Sequence, residues 1–200
     1  LSKLLGRSVV DMITGWPSDG PALVVCLGTR EQRQDSVKLL QRADAGYVVD
    51  AATIAELASL DCLAALAVLP HVYISTKAVE ALEARLEEAK LERSSGQMFD
   101  DNGTMRFVEY TRQDRNRQTA VIQKMVDAVK QHCAILPAYG PEGPPSELER
   151  VQDVLEDEEH AALLLTAEKC ATLFTVDGRL ARIGFVAAEL KSVWPQEVLR

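Results

Sequence analysis

Two hundred residues with a 47% hydrophobic fraction are enough for one domain with a genuine core, or one domain with an appendage. Thirty acidic against 22 basic side chains give a net charge of −8, which excludes a non-specific coat on nucleic acid and requires a local basic patch for any phosphate contact. A metal-dependent nuclease is not excluded, because bound cations reverse the local field.

The chain opens with a rough helical period over Leu1 to Thr14, with apolar residues at positions 1, 4, 5, 9, 10, 12 and 13 and a break at Gly6. Gly15 to Pro21 is rich in turn formers and reads as a connector. Ala22 to Leu27 is a continuous apolar run, the pattern of a buried strand, and Gly28-Thr29 offers a cap for a charged helix over Arg30 to Arg42. Tyr47-Val48-Val49-Asp50 is a second short strand that ends in an acid. Helical segments follow from Ala51 to Leu69 and stop at Pro70. Val72-Tyr73-Ile74 is a third strand. Ser75 or Thr76 then caps a helix from Lys77 to about Glu92, built from strong helix formers.

A departure from this rhythm comes next. Asp101-Asn102-Gly103 between Met98-Phe99 and Met105 to Val108 predicts a β-hairpin on a tight Asn-Gly turn, inserted at the surface over about 95–110. Asp100 and Asp101 are explained as turn residues. Arg112 to His132 predicts a long helix, Cys133 to Leu136 a strand, and Pro137 to Pro145 a rigid loop. Ser146 and Glu149 have capping-box spacing at the head of a helix to about Leu155. A buried helix over Ala161 to Lys169 is preceded by Asp157, Glu158 and Glu159. A strand over Leu173 to Val176 leads to Asp177, and a further helix begins at Arg179. A short terminal helix follows Val193-Trp194-Pro195, with Trp194 in the core or an interface. Strands alternating with helices predict an α/β class, three layers with a mainly parallel central sheet.

Four cysteines, Cys26, Cys62, Cys133 and Cys170, form no Cys-x-x-Cys pair, so neither a zinc site nor a disulfide framework is expected. They read as reduced core residues of a cytoplasmic protein. No apolar run approaches the roughly 20 residues that span a bilayer, and no signal peptide is present. A start at Leu1 rather than Met reads as a piece of a larger protein.

The chemistry of this chain lies in its carboxylates. Asp50 and Asp177 each follow a strand, Glu80 lies near the start of a helix after a strand, and Glu159 lies at the head of another. In open α/β sheets, ligands bind outside the carboxyl ends of the strands. Clustered carboxylates suit Mg²⁺ or Mn²⁺, hard cations that take oxygen ligands and activate water for phosphoryl chemistry. Each acid also has an ordinary structural explanation. Asp50 could cap a helix, Glu80 could belong to a solvated Glu-rich face, Glu159 could serve the helix dipole and Asp177 could belong to a turn. His160 reads as an exposed helix residue. No strand is followed by a Gly-x-Gly-x-x-Gly or P-loop pattern, which disfavours a nucleotide site.

Over Tyr47 to Leu180 the sequence resembles the PIN-domain nucleases. The resemblance rests on Val48-Val49-Asp50, on Val72 to Ser75 leading to Glu80, on Glu159, and on Thr175-Val176-Asp177. The hairpin, Glu109-Tyr110-Thr111 and the Pro-Ala-Tyr-Gly loop resemble the PIN-type modules of large bacterial conflict and defence proteins. The resemblance implies a PIN-like fold over 45–200 behind a helix and βα lead-in over 1–44. It implies an endoribonuclease that cleaves single-stranded RNA with Mg²⁺ or Mn²⁺. Asp50, Glu80, Glu159 and Asp177 would be the ligands, with Thr175 and Thr53 supporting them and Arg179, Arg182, Arg112 and Arg115 binding RNA. Further domains of a parent chain, and a homodimer, are the implied protein partners; no membrane is. The sequence departs from the family at Ala52, where a hydroxyl or amide is common, and at Ala81, so that the second ligand could be offset from Glu80. Asp157 or Glu158 could replace Glu159. These departures leave a catalytically inactive interaction or sensor domain as the rival reading.

Overall fold

In a computed structural model, residues 9–14, 29–40, 46–91, 96–101, 103–141 and 146–199 are described. The predicted strand over Ala22 to Leu27, with Cys26, and the connector before it lie outside these residues. Helix α1 (Val9–Thr14) and helix α2 (Arg30–Leu40) precede strand β1 (Tyr47–Val49). Thr29 caps α2 reciprocally: its hydroxyl accepts from the Gln32 N–H at 3.3 Å, and its own N–H donates to Gln32 Oε1 at 2.7 Å.

Helix α3 (Ala51–Ser59) and a 3₁₀ turn (Leu63–Ala67) lead to β2 (Val72–Ser75) and α4 (Thr76–Leu91). The Ser75 hydroxyl caps α4 through the Ala78 N–H at 3.1 Å, as the sequence predicts. Strands β3 (Gly96–Asp101) and β4 (Thr104–Glu109) form the expected hairpin, a separate two-stranded sheet in which Asp101 pairs with Thr104. Gly103, at φ +84°, supplies the positive φ that this tight turn requires. Helix α5 (Arg112–His132) has the predicted bounds and leads to β5 (Ala134–Leu136). Helix α6 (Ser146–Arg150), a 3₁₀ turn (Gln152–Val154), α7 (Asp157–Glu168), β6 (Thr172–Phe174), α8 (Gly178–Ala188), β7 (Ser192–Val193) and α9 (Pro195–Val198) complete the chain. Two-residue β7 is not legible as a strand in the sequence; its pairing with β6 creates it.

The main sheet has five parallel strands in the order β5-β2-β1-β6-β7. The pleat sorts the core between its faces. Tyr47, Val49, Ile74 and Phe174 pack with α1, α3, α4 and α5, whereas Val48 and Leu173 pack with α6, α7 and α8. The result is the predicted three-layer α/β/α class. Gly184 lets α8 approach α7, since a Cβ there would meet Leu163 Cδ2 at 2.9 Å.

Two sequence expectations change. His160 is buried: its Nε2 lies 2.9 Å from the Leu148 carbonyl oxygen. Docking of α6 on α7 buries the ring, and its one polar contact closes within protein. The cysteines are not uniformly core residues either. Cys133 is buried, and burial pushes its thiol up to about 12, away from nucleophilic chemistry. Cys62 is half-buried, while Cys170 is exposed at φ +48°, where the chain turns from α7 into β6. No helix among the described residues is long and apolar enough to cross a membrane.

Candidate active site

Strand order decides where the site lies. The chain steps from β1 to β2 and β5 on one side, then returns to place β6 on the other side of β1. β1 leads into α3 on one face of the sheet and β6 into α8 on the other, and ligands of open α/β sheets bind at such a switch point. Asp50 directly follows β1, and Asp177 lies three residues beyond β6.

Asp50 is 3% exposed. It is the N-cap of α3: its Oδ1 accepts from the Thr53 N–H at 2.7 Å. Its other oxygen accepts from the Thr175 hydroxyl. The same Thr175 oxygen accepts from the Asp177 N–H at 3.0 Å. Thr53 Oγ1 accepts from the Val176 N–H at 2.9 Å, which ties α3 to the exit of β6. The Thr175 hydroxyl therefore bridges the two acids, while Thr53 holds Asp50 through its own N–H and reaches the backbone just before Asp177. Burial, and secondarily Asp177, raises the Asp50 carboxyl to about 6, although bonds from Thr175 and Thr53 pull the other way. Among the described residues no cation pairs with Asp50.

Thr175→Val should test this bridge. The isostere leaves one Asp50 oxygen and the Asp177 N–H without their partner, at a cost of about 2 kcal/mol. Urea denaturation should show that loss, and Thr175→Ser should restore most of it; equal stability of all three proteins would contradict the bridging role.

Asp177 caps α8, with Oδ1 accepting from the Arg179 N–H at 2.7 Å and the Leu180 N–H at 3.1 Å. Glu159 sits in the first turn of α7, where its Oε2 accepts from the Glu156 N–H at 3.0 Å. Its Oε1 accepts from Arg179 Nη2 at 2.6 Å, and the same nitrogen lies 3.7 Å from Asp177 Oδ2. Arg179 thus joins Glu159 to the Asp50–Asp177 pair. The neighbouring Glu158 carboxyl is also raised, first by burial and then by the surrounding acids.

Glu80 is placed differently. It is 55% exposed and pairs with Lys77 at 2.9 Å, an i,i+3 pair on the first turns of α4. The Lys77 ammonium is held above its usual range by Glu80, with a smaller contribution from Asp157. Among the described residues, no three acids, histidines or cysteines converge closely enough to hold a metal ion. The donor set that does converge is the Asp50–Asp177 pair. Two carboxylates fit Mg²⁺ or Mn²⁺, which keep several waters and bind substrate phosphate directly. Of the basic residues, Arg112 and Arg182 are exposed, and Arg115 donates from Nη1 to the Tyr110 carbonyl at 2.8 Å. A hollow of about 370 Å³ between α6 and α8 is lined by residues including Glu147, Arg150, Val151, Arg182 and Val186 but by none of the four acids. The sheet rim beyond β1 and β6, not this hollow, is where the chemistry-bearing residues gather.

A family model described as the PIN domain associated with the TPR-GreAB-C-PIN system matches residues 48–186. The chain belongs to this PIN-domain family. Among solved structures, the crystal structure of PAE2754 from Pyrobaculum aerophilum is similar at 18% identity and a TM-score of 0.45, covering 78% of this PIN-domain chain and 88% of the other. No curated protein matches this PIN domain. The matched region opens at β1 and closes within α8, so it includes Asp50, Glu80, Glu159 and Asp177.

Proposed function

We propose that this PIN domain is an endoribonuclease that cleaves single-stranded RNA with the help of Mg²⁺ or Mn²⁺. The observation that carries the reading is Asp50: a buried carboxylate that, among the described residues, has neutral hydrogen-bond donors only, beside Asp177 at the switch point of the sheet. A buried charge without a counter-ion is costly, and a divalent cation would supply one. Asp50 and Asp177 would hold the ion, Glu159 would join from α7, and Glu80 from α4. When bound, the ion supplies activated water and neutralises charge developing on phosphorus. Thr175 and Thr53 hold the Asp50 carboxylate in position. Arg179 and Arg182 on α8, with Arg112 and Arg115 at the start of α5, would bind phosphates of the RNA strand.

The family description places its members in a TPR-GreABC system. This domain therefore acts, in our reading, in the cytoplasm as a module of a larger bacterial protein, with residues 1–44 as its lead-in and 45–200 as the PIN domain proper. A second reading, a catalytically inactive interaction domain, is favoured by the pairing of Glu159 with Arg179 and of Glu80 with Lys77.

Mn²⁺ titration by calorimetry on the parent and on Asp177→Asn separates the two. The nuclease reading expects binding in roughly the micromolar to millimolar range, lost in the variant, together with Mn²⁺-dependent cleavage of single-stranded RNA. A folded parent that takes up no Mn²⁺ would support the interaction domain instead.

A further inference from the structure

Arg179 lies across the mouth of the acid pair. Its Nη2 is 2.6 Å from Glu159 Oε1 and 3.7 Å from Asp177 Oδ2. Both acids are anchored by backbone N–H groups at helix starts, Glu159 by Glu156 and Asp177 by Arg179 and Leu180. They are 18% and 28% exposed, whereas the arginine side chain is 45% exposed. The carboxylates are held in place and the cation covers them from the solvent side.

We propose that Arg179 is a built-in counter-ion that competes with the metal for Glu159 and Asp177. This rests on the metal-dependent reading above. A guanidinium does not lose its proton, so a divalent cation binding to these carboxylates meets a fixed positive charge beside them and binds best when the arginine swings away. Movement is easy, because a half-exposed ion pair at the end of a long aliphatic stem is only weakly held. The metal-free domain is then neutralised in part by its own side chain, and the ion binds more weakly than the acids alone would allow. A cation two residues after Asp177 thus sets the metal concentration at which the site loads. Arg182, one turn further along α8, carries the same charge but faces the hollow beside Glu147 and Arg150 rather than the acids. Charge alone would make the two arginines equivalent; their placement makes them different.

Calorimetric Mn²⁺ titration of the parent, Arg179→Gln and Arg182→Gln at one ionic strength tests this. Arg179→Gln should bind Mn²⁺ about tenfold more tightly than the parent, whereas Arg182→Gln should stay within about twofold. Arg179→Met serves as a second variant should the first not fold, with circular dichroism as the check. Equal affinity in the parent and the Arg179 variants overturns the competition. An equal gain from Arg182→Gln also overturns it, because net charge alone then explains the effect. Absence of Mn²⁺ uptake by every protein, all folded, removes the metal reading beneath it; uptake by the parent without a gain at Arg179 removes only the inference.

Discussion

Asp50→Asn is expected to yield a domain more stable than the parent above pH 6 and, on the nuclease reading, about a thousandfold slower at cleaving RNA. The Asp50 carboxyl titrates near 3.8 when exposed and at about 6 in the fold, first because it is buried and second because Asp177 is near. Between those values the native state holds a proton that the unfolded chain has released. Stability therefore falls as pH rises from about 4 to 6, and the loss is complete above 6. Moving from 3.8 to about 6 corresponds to about 3 kcal/mol at roughly 1.36 kcal/mol per pH unit.

An asparagine carries no such charge. Its amide oxygen can still accept from Thr53, but its NH₂ group must donate to the Thr175 oxygen, which leaves the threonine proton without its acceptor. That loss costs about 1 kcal/mol, so the net gain at pH 8 is about 2 kcal/mol. For a chain of this size it corresponds to a Tm roughly 4–8 °C higher. The gain should vanish between about pH 4 and 5 and turn into a loss of up to about 1 kcal/mol below that, and saturating Mn²⁺ should stabilise the parent but not the variant. RNA cleavage should fall by about three orders of magnitude, the rate equivalent of about 4 kcal/mol of lost transition-state stabilisation. A scanning-calorimetry series in which Asp50→Asn is less stable than the parent at every pH would refute the picture of an uncompensated buried carboxylate.

Asp11→Ala carries the other large expectation, a loss of about 3–5 kcal/mol. Asp11 on α1 receives Arg85 Nε at 3.0 Å on both oxygens and Gln118 Nε2 at 3.2 Å. The two charged side chains are only 14% and 9% exposed. Glu88, at 3.7 Å from Arg85 Nη1, is 71% exposed and too solvated to substitute. Removing Asp11 strips the buried guanidinium of its two-oxygen contact, which costs far more than the pair contributes. The same logic predicts that Asp11→Leu combined with Arg85→Met recovers most of the loss. Urea denaturation of the single and double variants checks both statements, and a single variant within 1 kcal/mol of the parent would count against them. The expectation also concerns the lead-in segment. Val10 and Ile13 lie in the same core as β1, α4 and α5, so α1 packs as part of the domain, although the family match begins only at residue 48.

Much of this fold is determined locally. Periodicity and caps locate α4, α5 and the hairpin because their signals lie within one turn or one pair of strands: Ser75 at the head of α4, a capping box from Thr111 to Asp114, and Asn102-Gly103 between β3 and β4. The acids after β1 and β6 are legible for the same reason, each being the first charged group after a buried strand. Strand β7 is not, because two residues carry no period and its pairing with β6 makes it a strand. The burial of His160 is hidden because its partner, the Leu148 carbonyl, belongs to another helix. Placement of the four acids also depends on long-range packing. Lys77 and Glu80 are three residues apart, and their pairing was available from helical spacing. Arg179 and Glu159 meet only because α8 docks beside α7, and Asp50 meets Thr175 only because β6 pairs with β1. By itself, the sequence determined the α/β class and the strands that end in acids, since these depend on residue type and short spacing. Only the tertiary structure decided which carboxylate is buried without a cation and which are covered by one. Burial and ion pairing are properties of neighbours brought together across the chain, and they set the charge a metal would meet.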